Sequence, residues 1–421
     1  MSFTAIIGLQ WGDEGKGKIV DYLAEKHDVV VRFQGGANAG HTVSVGGKEF
    51  IFHIIPSGLL RPQVTGAIGA GVAVDPDVLM REMEEVGKLS TPLDGRFWID
   101  GRAQLVLPYH KAEDRWEEEL MGGIGTTRRG IGPAYRDRYY RIGLRAIDLL
   151  SSRSLEGRLR HSLDFNNQIL GARYGKPPYD FHEIYEFLKG FGDRIGPFIR
   201  DVSVFLLEEA RKGKNILLEG AQGSFLDINF GTYPFVTSSH TISGGASVGA
   251  GVPPNAIKRI IGVTKAYTTR VGKGPFPTEL KGPEGDHLRE RGGEYGATTG
   301  RPRRCGWLDL VALRFSAWIN GISELAITKL DSLAGMDVVK VARSYSLGGK
   351  ELLYPPLDLS DWHNVKVNYE EFRGWGEIGS IRRREDLPRE AKEYLNFIED
   401  DLKIPITYIS VGKERDQIIV S

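Results

Sequence analysis

The sequence predicts an α/β fold: a large, mostly parallel central sheet flanked by helices, with a phosphate-loop-like turn and a helical insertion. Three observations lead to this prediction. The apolar run at 4–9, which is typical of a buried strand, is followed by a glycine-rich loop and then a helix-like segment. Strand-like and helix-like segments alternate through the first third of the chain, as in parallel sheets with crossover helices. Apolar strands also end repeatedly in glycine-rich or polar turns, at 12–18, 34–42, 220–223, 328–331 and 410–412.

The first third contains strand-like runs at 28–33, 50–55 and 97–100, a glycine-rich apolar run at 67–74 and a helix over 75–88 with Asp75 as its N-cap. From about 108 to 198 the pattern becomes helical and charged, with helices expected at 111–121, 155–170 and 179–188 and a glycine-rich basic loop at 122–135. Beyond it we expect a helix at 202–212, a strand at 215–219, a helix then a strand over 257–266, a strand at 324–329, a small β excursion at 338–345 and 369–374, a helix at 389–402 and a strand at 405–411. The chain is therefore expected to form a single α/β catalytic domain over 1–421, with a helical insertion over about 108–198.

Composition restricts the classes of function. Lys plus Arg and Asp plus Glu both total 55 in a chain of 421 residues, so the formal charge is zero. We therefore do not expect a positive electrostatic potential over the whole protein that would attract nucleic acid or a membrane, and any anion site must be local. The single cysteine, Cys305, excludes an intrachain disulfide and a Cys-rich metal site, and it suits a reducing, cytoplasmic setting. No stretch approaches the length of a membrane span.

The loop after the first strand has the layout of a phosphate site. Glycines let backbone N–H groups approach anionic oxygens, the helix N-terminus adds partial positive charge, and lysine adds a full one. Gly12-x4-Gly17-Lys18 fits the first seven positions of the nucleotide-loop pattern, but Ile19 replaces the hydroxyl residue that would hold magnesium. Asp13 can supply the missing metal oxygen. The alternative is a tight strand-to-helix turn, in which two lysines and an acid would be costly without a ligand.

Asp13 and His41 follow separate strands and are expected to face each other across the carboxyl edge of the sheet. A carboxylate that acts as base or metal ligand, opposite a histidine that donates a proton, forms a general acid–base pair. The alternative for His41 is a structural residue that bonds the backbone. The small polar neighbours Asn38, Gly40 and Thr42 favour the functional interpretation.

Lys329-Leu330-Asp331 ends another apolar strand. Guanine presents two adjacent donors that one carboxylate can accept, and a lysine stem can cover the base, so this turn suits a guanine nucleotide. Many strands simply end in a capping Asp, and the upstream phosphate loop is what strengthens the interpretation. The turn of Ser410, Val411, Gly412 and Lys413 can complete the base pocket.

The segment 296–304 places two hydroxyls and three arginines between glycines, which suits a clamp for carboxylate or phosphate. The alternative is a solvated basic loop. The loop 125–132 is a second anion-binding candidate. Gln222 and Thr237 lie in polar turns and can bond a base edge or a sugar.

These residues together resemble the adenylosuccinate synthetase family, of the bacterial-length type, over essentially the whole chain. The matching segments are QWGDEGKGK at 10–18, QGGANAGHT at 34–42, GIGPAY at 130–135, EGAQG at 219–223, GTYPFVTSS at 231–239, RVGKGPFPTEL at 270–280, GATTGRPRR at 296–304, GWLD at 306–309 and TKLD at 328–331. The resemblance implies that GTP, inosine monophosphate (IMP) and L-aspartate give GDP, phosphate and adenylosuccinate, with Mg²⁺, in de novo AMP synthesis. The purine 6-oxygen is first phosphorylated to 6-phosphoryl-IMP, and the aspartate amine then displaces phosphate.

The resemblance also implies a role for each matching position. The catalytic residues would be Asp13, Lys16, His41 and Gln222, with Asp13 and the Gly40 carbonyl binding Mg²⁺. GTP would contact Gly12, Glu14, Gly15, Gly17, Lys18, Gly40, Thr42, Arg303, Lys329, Leu330, Asp331, Ser410, Val411 and Gly412. IMP would contact Asp13, Lys16, Asn38, His41, Thr127, Gln222, Thr237 and Arg301, with Arg141 contributed by the other subunit of a homodimer. Aspartate would contact Ala297, Thr298, Thr299, Gly300, Arg301 and Arg303.

Three positions depart from the family pattern: Arg128 stands where glycine is usual, Pro302 where arginine is usual, and Lys413 where proline is usual. They affect the expected loop dynamics and affinity rather than the reaction.

Two rival functions fit less well. A guanine-nucleotide switch or another phosphate-loop NTPase would explain 12–18 and 328–331, but not the arginine loop or Gln222. A non-catalytic nucleotide- or RNA-binding module is disfavoured by the zero net charge and by the few aromatic residues in the arginine loops.

Overall fold

The computed structural model describes residues 3–45, 48–88, 92–120, 122–296, 300 and 302–421. The strands in these ranges are β1 Phe3–Gly8, β2 Val29–Arg32, β3 Gly35–Gly36, β4 His41–Val45, β5 Lys48–Phe52, β6 Thr65–Ile68, β7 Val72–Val74, β8 Phe97–Asp100, β9 Gln104–Leu105, β10 Ile199–Arg200, β11 Ile216–Glu219, β12 Ile257–Lys265, β13 Thr268–Arg270, β14 Arg304–Gly306, β15 Leu308–Asp309, β16 Glu324–Thr328, β17 Val338–Leu347, β18 Lys350–Leu352, β19 Lys366–Arg373, β20 Ile406–Ser410 and β21 Ile418–Val420. The α-helices are α1 Lys16–Ala24, α2 Pro76–Gly87, α3 Pro108–Leu120, α4 Ile131–Tyr140, α5 Ser152–Tyr174, α6 Phe181–Ile195, α7 Val202–Arg211, α8 Ser243–Ala250, α9 Pro283–Gly292, α10 Leu310–Asn320, α11 Leu359–Trp362 and α12 Arg389–Leu402.

A ten-stranded sheet forms the centre of the molecule, in the order β10-β8-β6-β2-β11-β1-β12-β16-β20-β21. Neighbouring strands run parallel up to β20, and β21 pairs antiparallel with β20. β1 lies in the middle, where Ile6 pairs with Glu219 of β11 on one side and Ile261 of β12 on the other. The predicted fold class, a large and mostly parallel sheet flanked by helices, is confirmed.

Both faces of the sheet are covered, which explains why the central strands read as continuous apolar runs. Side chains alternate across a strand, so Ala5 and Ile7 of β1 pack in the core cluster that contains residues of α7 and α8, whereas Ile6 packs with α1 on the opposite face. Ala5, Ile6 and Ile7 are all fully buried. The phosphate-loop candidate therefore starts from a strand that is buried along its whole length.

The sheet order brings the predicted turns together. β2, β11, β1, β12, β16 and β20 are consecutive parallel neighbours. Because parallel strands end at the same edge, the turns that follow β1, β2, β11, β16 and β20 share the carboxyl edge of the sheet, as the sequence predicts.

The segment 108–198 contains α3 to α6 and leads into β10, which pairs with β8 at the far side of the sheet. One core cluster joins Leu155 and Leu188 of these helices to Phe97 and Ile99 of β8. This segment shares a core with the central sheet, and the division into a single domain with a helical insertion over about 108–198 stays a prediction.

Several expected elements were wrong. The segment 257–266 is one strand, β12, rather than a helix and a strand, and α4 begins inside the stretch predicted as a loop. α8 was missed because its glycines lower helix propensity. Those glycines permit close packing: a Cβ on Gly249 would lie 2.0 Å from the Phe33 carbonyl oxygen, and one on Gly245 would lie 2.3 Å from that of His240.

Candidate active site

The loop between β1 and α1 is organised around a buried carboxylate. Gly12 and Gly15 have φ values of 86° and 82°, where glycine is favoured, and Asp13 also has a positive φ, of 60°. Glu14 is fully buried, and its Oε1 atom accepts hydrogen bonds from Gly12 N at 2.9 Å and Gln10 N at 3.1 Å. The Nζ atom of Lys16 lies 2.5 Å from Glu14 Oε2. The Glu14 carboxylate thus occupies donors that the sequence assigns to phosphate.

Lys18, the lysine of the nucleotide-loop pattern, extends away from this carboxylate. Its Nζ atom donates to Ser410 Oγ at 2.8 Å and to the carbonyl oxygens of Gly412 at 2.7 Å and Gln417 at 3.0 Å. Burial lowers the pKa of Lys18 to about 8. The side chain connects the start of α1 with the turn predicted to bind guanine.

Asp13 belongs to an ion-pair network on the other side of the loop. Its Oδ2 atom lies 2.9 Å from Arg303 Nε, and Arg303 Nη1 donates to Glu294 Oε2 at 2.8 Å. Glu294 is fully buried, and its Oε1 atom also accepts from Lys265 Nζ at 2.8 Å and the Tyr267 hydroxyl at 2.5 Å. Burial raises the pKa of Glu294, but the neighbouring lysines and arginine outweigh burial and lower it to about 2. Glu294 is therefore an ionised anchor for Arg303.

His41 belongs to a second group of buried polar side chains, together with Arg32 at the end of β2 and Glu219 at the end of β11. Its Nδ1 atom contacts Glu219 Oε1, and its Nε2 atom lies 3.0 Å from Arg32 Nη1. Burial, together with the Arg32 charge, lowers the pKa of His41 to about 4. A Cβ on Gly17 would lie 3.0 Å from the Thr42 carbonyl oxygen, so this strand runs against the first turn of α1. His41 is at the predicted edge, but it pairs with Glu219 while Asp13 pairs with Arg303.

Three residues predicted to bind IMP are joined by hydrogen bonds. Asn38 donates from Nδ2 to Thr237 Oγ1, and Gln222 donates from Nε2 to Asn38 Oδ1, both at 3.1 Å. Gln34 Nε2 donates to Gln222 Oε1, also at 3.1 Å, and orients the Gln222 amide. Gln222 adopts a φ of 54° at the turn after β11. The structure thus brings together polar groups that lie nearly 200 residues apart in sequence.

Thr127 and Arg141, also predicted to bind IMP, are exposed. Arg141 follows α4 and lines a cavity of about 250 Å³ together with Arg138, Arg145 and Arg158. Asp148 also lines this cavity, so four arginines and one carboxylate surround it.

The arginine loop is described only at its two ends. Ala297, Thr298, Thr299 and Arg301, all predicted to bind aspartate, lie outside the described residues, and Gly300 is exposed with a φ of 62°. The base of the loop is closed because Arg303 N donates to the Glu294 carbonyl oxygen at 2.8 Å. Glu294 therefore bonds Arg303 twice, through its backbone carbonyl oxygen and through its side-chain carboxylate.

The guanine candidates lie beside the phosphate loop. Thr328 at the end of β16 donates from Oγ1 to the Glu14 carbonyl oxygen at 2.5 Å. Lys329 adopts a φ of 60°, its Nζ atom contacts the Gly292 carbonyl oxygen, and Leu330 is fully buried. Burial raises the pKa of Asp331, which is half-buried at the site. Phosphate and base candidates are thus adjacent.

Sequence reasoning missed four buried ionisable residues at this edge. They are Arg32, Glu219, Lys265 and Glu294, each at most 1% exposed. Arg32, Glu219 and Lys265 are the last residues of the apolar strands β2, β11 and β12. A polar residue at the end of an apolar strand is the same signal that pointed to Asp331. Glu294 follows α9 and has no such signal.

No group of three or more His, Cys, Asp or Glu side chains suited to a metal ion occurs among the described residues. Mg²⁺ commonly uses one or two protein carboxylates together with substrate phosphates, so a site with Asp13 and one carbonyl oxygen fits that preference. The described helices also include none long and apolar enough to cross a membrane.

Comparison with known proteins agrees with the geometry. A family model described as adenylosuccinate synthetase matches residues 5–419. Relatives named adenylosuccinate synthetase from Caldanaerobacter subterraneus subsp. tengcongensis and Clostridium novyi are each 49% identical over 424 residues, covering 100% of this chain and 99% of the relative.

Solved structures give the same result. Fully ligated adenylosuccinate synthetase from Plasmodium falciparum matches with a TM-score of 0.94 and 38% identity, covering 99% of each chain. The succinoaminodeoxyadenylate synthetase of cyanophage S-2L, bound to dGMP and dATP, matches with a TM-score of 0.61 and 20% identity over 100% of this chain and 95% of that one, which shows a shared fold. The chain belongs to the adenylosuccinate synthetase family, a family of GTP-dependent ligases of AMP biosynthesis.

Proposed function

We propose that this chain joins L-aspartate to IMP at the expense of GTP, giving adenylosuccinate, GDP and phosphate. Family membership supports the reaction. The observation that carries the assignment of residues is the shared carboxyl edge, where the Asp13 loop, the Gln222 group and the Lys329–Asp331 turn follow the parallel strands β1, β11 and β16 of one sheet. Three polar subsites at one edge suit two nucleotides and an amino acid.

In the first step, Asp13 accepts the N1 proton of IMP. The electron pair left on the ring moves charge onto the 6-oxygen, which attacks the γ-phosphorus of GTP, and GDP leaves. Lys16 and the loop N–H groups stabilise the charge that develops on the transferring phosphoryl group. Arg303, which pairs with Asp13, would orient the carboxylate toward the ring.

In the second step, the aspartate amine attacks C6, the C6–O bond breaks, and the amine proton is taken up by the departing phosphate. The segment 297–303 would hold the aspartate carboxylates through Arg301 and Arg303. Gln222, Asn38, Thr237 and Thr127 would hold IMP.

His41 would act on the phosphoryl region. In the ligand-free chain it is a neutral imidazole paired with Glu219. A phosphoryl group nearby would favour the charged form, so His41 can then donate a proton or a hydrogen bond.

Asp13 and the Gly40 carbonyl oxygen would hold Mg²⁺ together with GTP phosphate oxygens. The ion would neutralise phosphate charge. Lys329, Leu330, Asp331 and the turn 410–412 would enclose guanine, while Gly12, Gly15, Gly17 and Thr42 would approach the phosphates.

The protein would act as a homodimer in which Arg141 binds the IMP phosphate of the partner subunit. The exposed Arg141 and the arginine-lined cavity support this proposal. A cytoplasmic setting is also proposed, since Cys305 is a buried free thiol.

The decisive experiment follows adenylosuccinate by ultraviolet absorbance with GTP, IMP, aspartate or Mg²⁺ omitted in turn. Product is expected only in the complete mixture. GTP hydrolysis that needs neither IMP nor aspartate would instead indicate a phosphate-loop NTPase.

A further inference from the structure

Lys18 stands where the nucleotide-loop pattern places a phosphate-binding lysine, but its contacts lie in a different part of the molecule. The hairpin between β20 and β21 carries the residues 410–412 that are proposed to enclose guanine. An ammonium group has three N–H donors and no acceptor. All three donors of Lys18 are used by oxygens of this hairpin, namely Ser410 Oγ and the carbonyl oxygens of Gly412 and Gln417.

The two carbonyl oxygens belong to opposite arms of the hairpin. Val411 N donates to the Gln417 carbonyl oxygen at 3.0 Å where the arms pair, and Gly412 lies just inside the turn. The ammonium therefore bridges both arms at the mouth of the turn. Ser410 Oγ also lies 3.1 Å from the Gly412 carbonyl oxygen, so the three acceptors form one compact set.

Lys16 provides the contrast within the same loop. Its Nζ atom pairs with the Glu14 carboxylate directly beneath the glycine loop, where an anionic ligand would approach. Burial lowers the pKa of Lys18, and the negative charge of Asp331, the proposed guanine carboxylate, opposes that decrease. The two lysines of this loop thus contact different parts of the candidate site.

We propose that Lys18 is a positioning residue for the guanine base, holding the 410–412 turn in its binding conformation from the first turn of α1. It would determine affinity for GTP through the base and make no contact with the transferring phosphoryl group. This inference rests on the proposed function, because it takes GTP as the nucleotide that binds at this edge.

The test is a steady-state comparison of Lys18→Met with the wild-type chain. Removing charge-assisted hydrogen bonds should raise KM for GTP by about tenfold or more. At saturating GTP, kcat should stay within about threefold, and KM for IMP and aspartate should be unchanged. Lys16→Met, which removes the lysine at the phosphates, should lose kcat.

Lys26→Met is the matched control, since it removes the same charge from an exposed position just beyond the C-terminal end of α1. It should leave KM for GTP near the wild-type value. If Lys18→Met does not fold, Lys18→Gln retains amide donors and is subjected to the same measurement.

Two outcomes would overturn the inference. If Lys18→Met lowers kcat as much as Lys16→Met does, Lys18 acts at the phosphates. If Lys18→Met lowers the melting temperature but leaves KM for GTP unchanged, Lys18 only stabilises the fold. Failure of the proposed function is a separate result, because the wild-type chain would then form no adenylosuccinate.

Discussion

The Nε atom of Arg303 lies 2.9 Å from Oδ2 of Asp13, while Nη1 of the same guanidinium donates to Glu294. One arginine thus joins the proposed base to a buried carboxylate at the root of the arginine loop. The orientation of Asp13 depends on residues almost 300 positions away in sequence, so changes at either end of this connection should affect the chemistry.

Asp13→Asn should retain GTP binding and lower kcat by about 100- to 10,000-fold, because the amide cannot accept the N1 proton. GTP binding is measured by calorimetry and kcat by product absorbance. A near-normal rate in this variant would remove Asp13 from its role as base.

Glu294→Gln should raise KM for aspartate and GTP while leaving KM for IMP little changed. The amide keeps the shape but leaves Lys265 and Arg303 without their anion, and breaking a buried pair costs about 3–5 kcal/mol of stability. Kinetics and thermal unfolding are measured alongside Glu284→Gln, which makes the same change on the exposed surface of α9. Equal increases in all three KM values would argue against selective positioning.

Gln34→Leu should raise KM for IMP several-fold without affecting KM for GTP. Gln34 fixes the Gln222 amide through the 3.1 Å hydrogen bond to its Oε1 atom, and a lost hydrogen bond of this kind costs about 1 kcal/mol. Initial rates at varied IMP and at varied GTP test the prediction. An effect on GTP alone would contradict the arrangement.

The ligand-free chain should contain one histidine with a strongly depressed pKa. Burial and Arg32 lower the pKa of His41 to about 4, so its NMR signal, assigned with His41→Asn, should not shift between pH 8 and 6. The unfolded chain binds this proton near pH 6.5, so the free energy of unfolding should decrease as the pH falls from 6.5 toward 4. A titration near pH 6.5 would show that His41 is not buried beside Arg32 in solution.

Arg141→Leu and Asp13→Asn should complement each other. Each variant alone is expected to be impaired, but a mixed dimer has one site with an intact Asp13 and an intact Arg141 from the partner. Activity should therefore rise when the two proteins are unfolded, mixed and refolded together. No gain over the separate proteins would exclude contribution of Arg141 in trans.

The sequence was sufficient for the fold class and for the association of distant turns, because apolar runs that end in glycine indicate strands of a parallel sheet. The meeting of Asn38, Gln222 and Thr237 follows from the same rule. The contacts of Lys18 could not be predicted, since motif spacing determines the backbone position but not the direction of a long side chain. Glu294 was missed because its partners Lys265, Tyr267 and Arg303 lie at separate places in the sequence.

Glycine-rich helices were also difficult to predict. α8 contains glycines that lower helix propensity, yet the chain needs them where the helix contacts the sheet edge. By contrast, Arg128 adopts a φ of 57°, a backbone conformation that favours glycine. An Arg128→Gly change would relieve that backbone strain at the cost of greater freedom in the unfolded chain.

The buried Glu14 carboxylate has a consequence for the energetics of nucleotide binding. Gly12 N and Lys16 are already engaged by an anion that belongs to the protein itself. A triphosphate that binds to these donors must therefore replace their hydrogen bonds to Glu14, because neither donor is free beforehand. Its net gain at the loop is smaller than the number of contacts would suggest, so much of the affinity for GTP must come from the base and ribose.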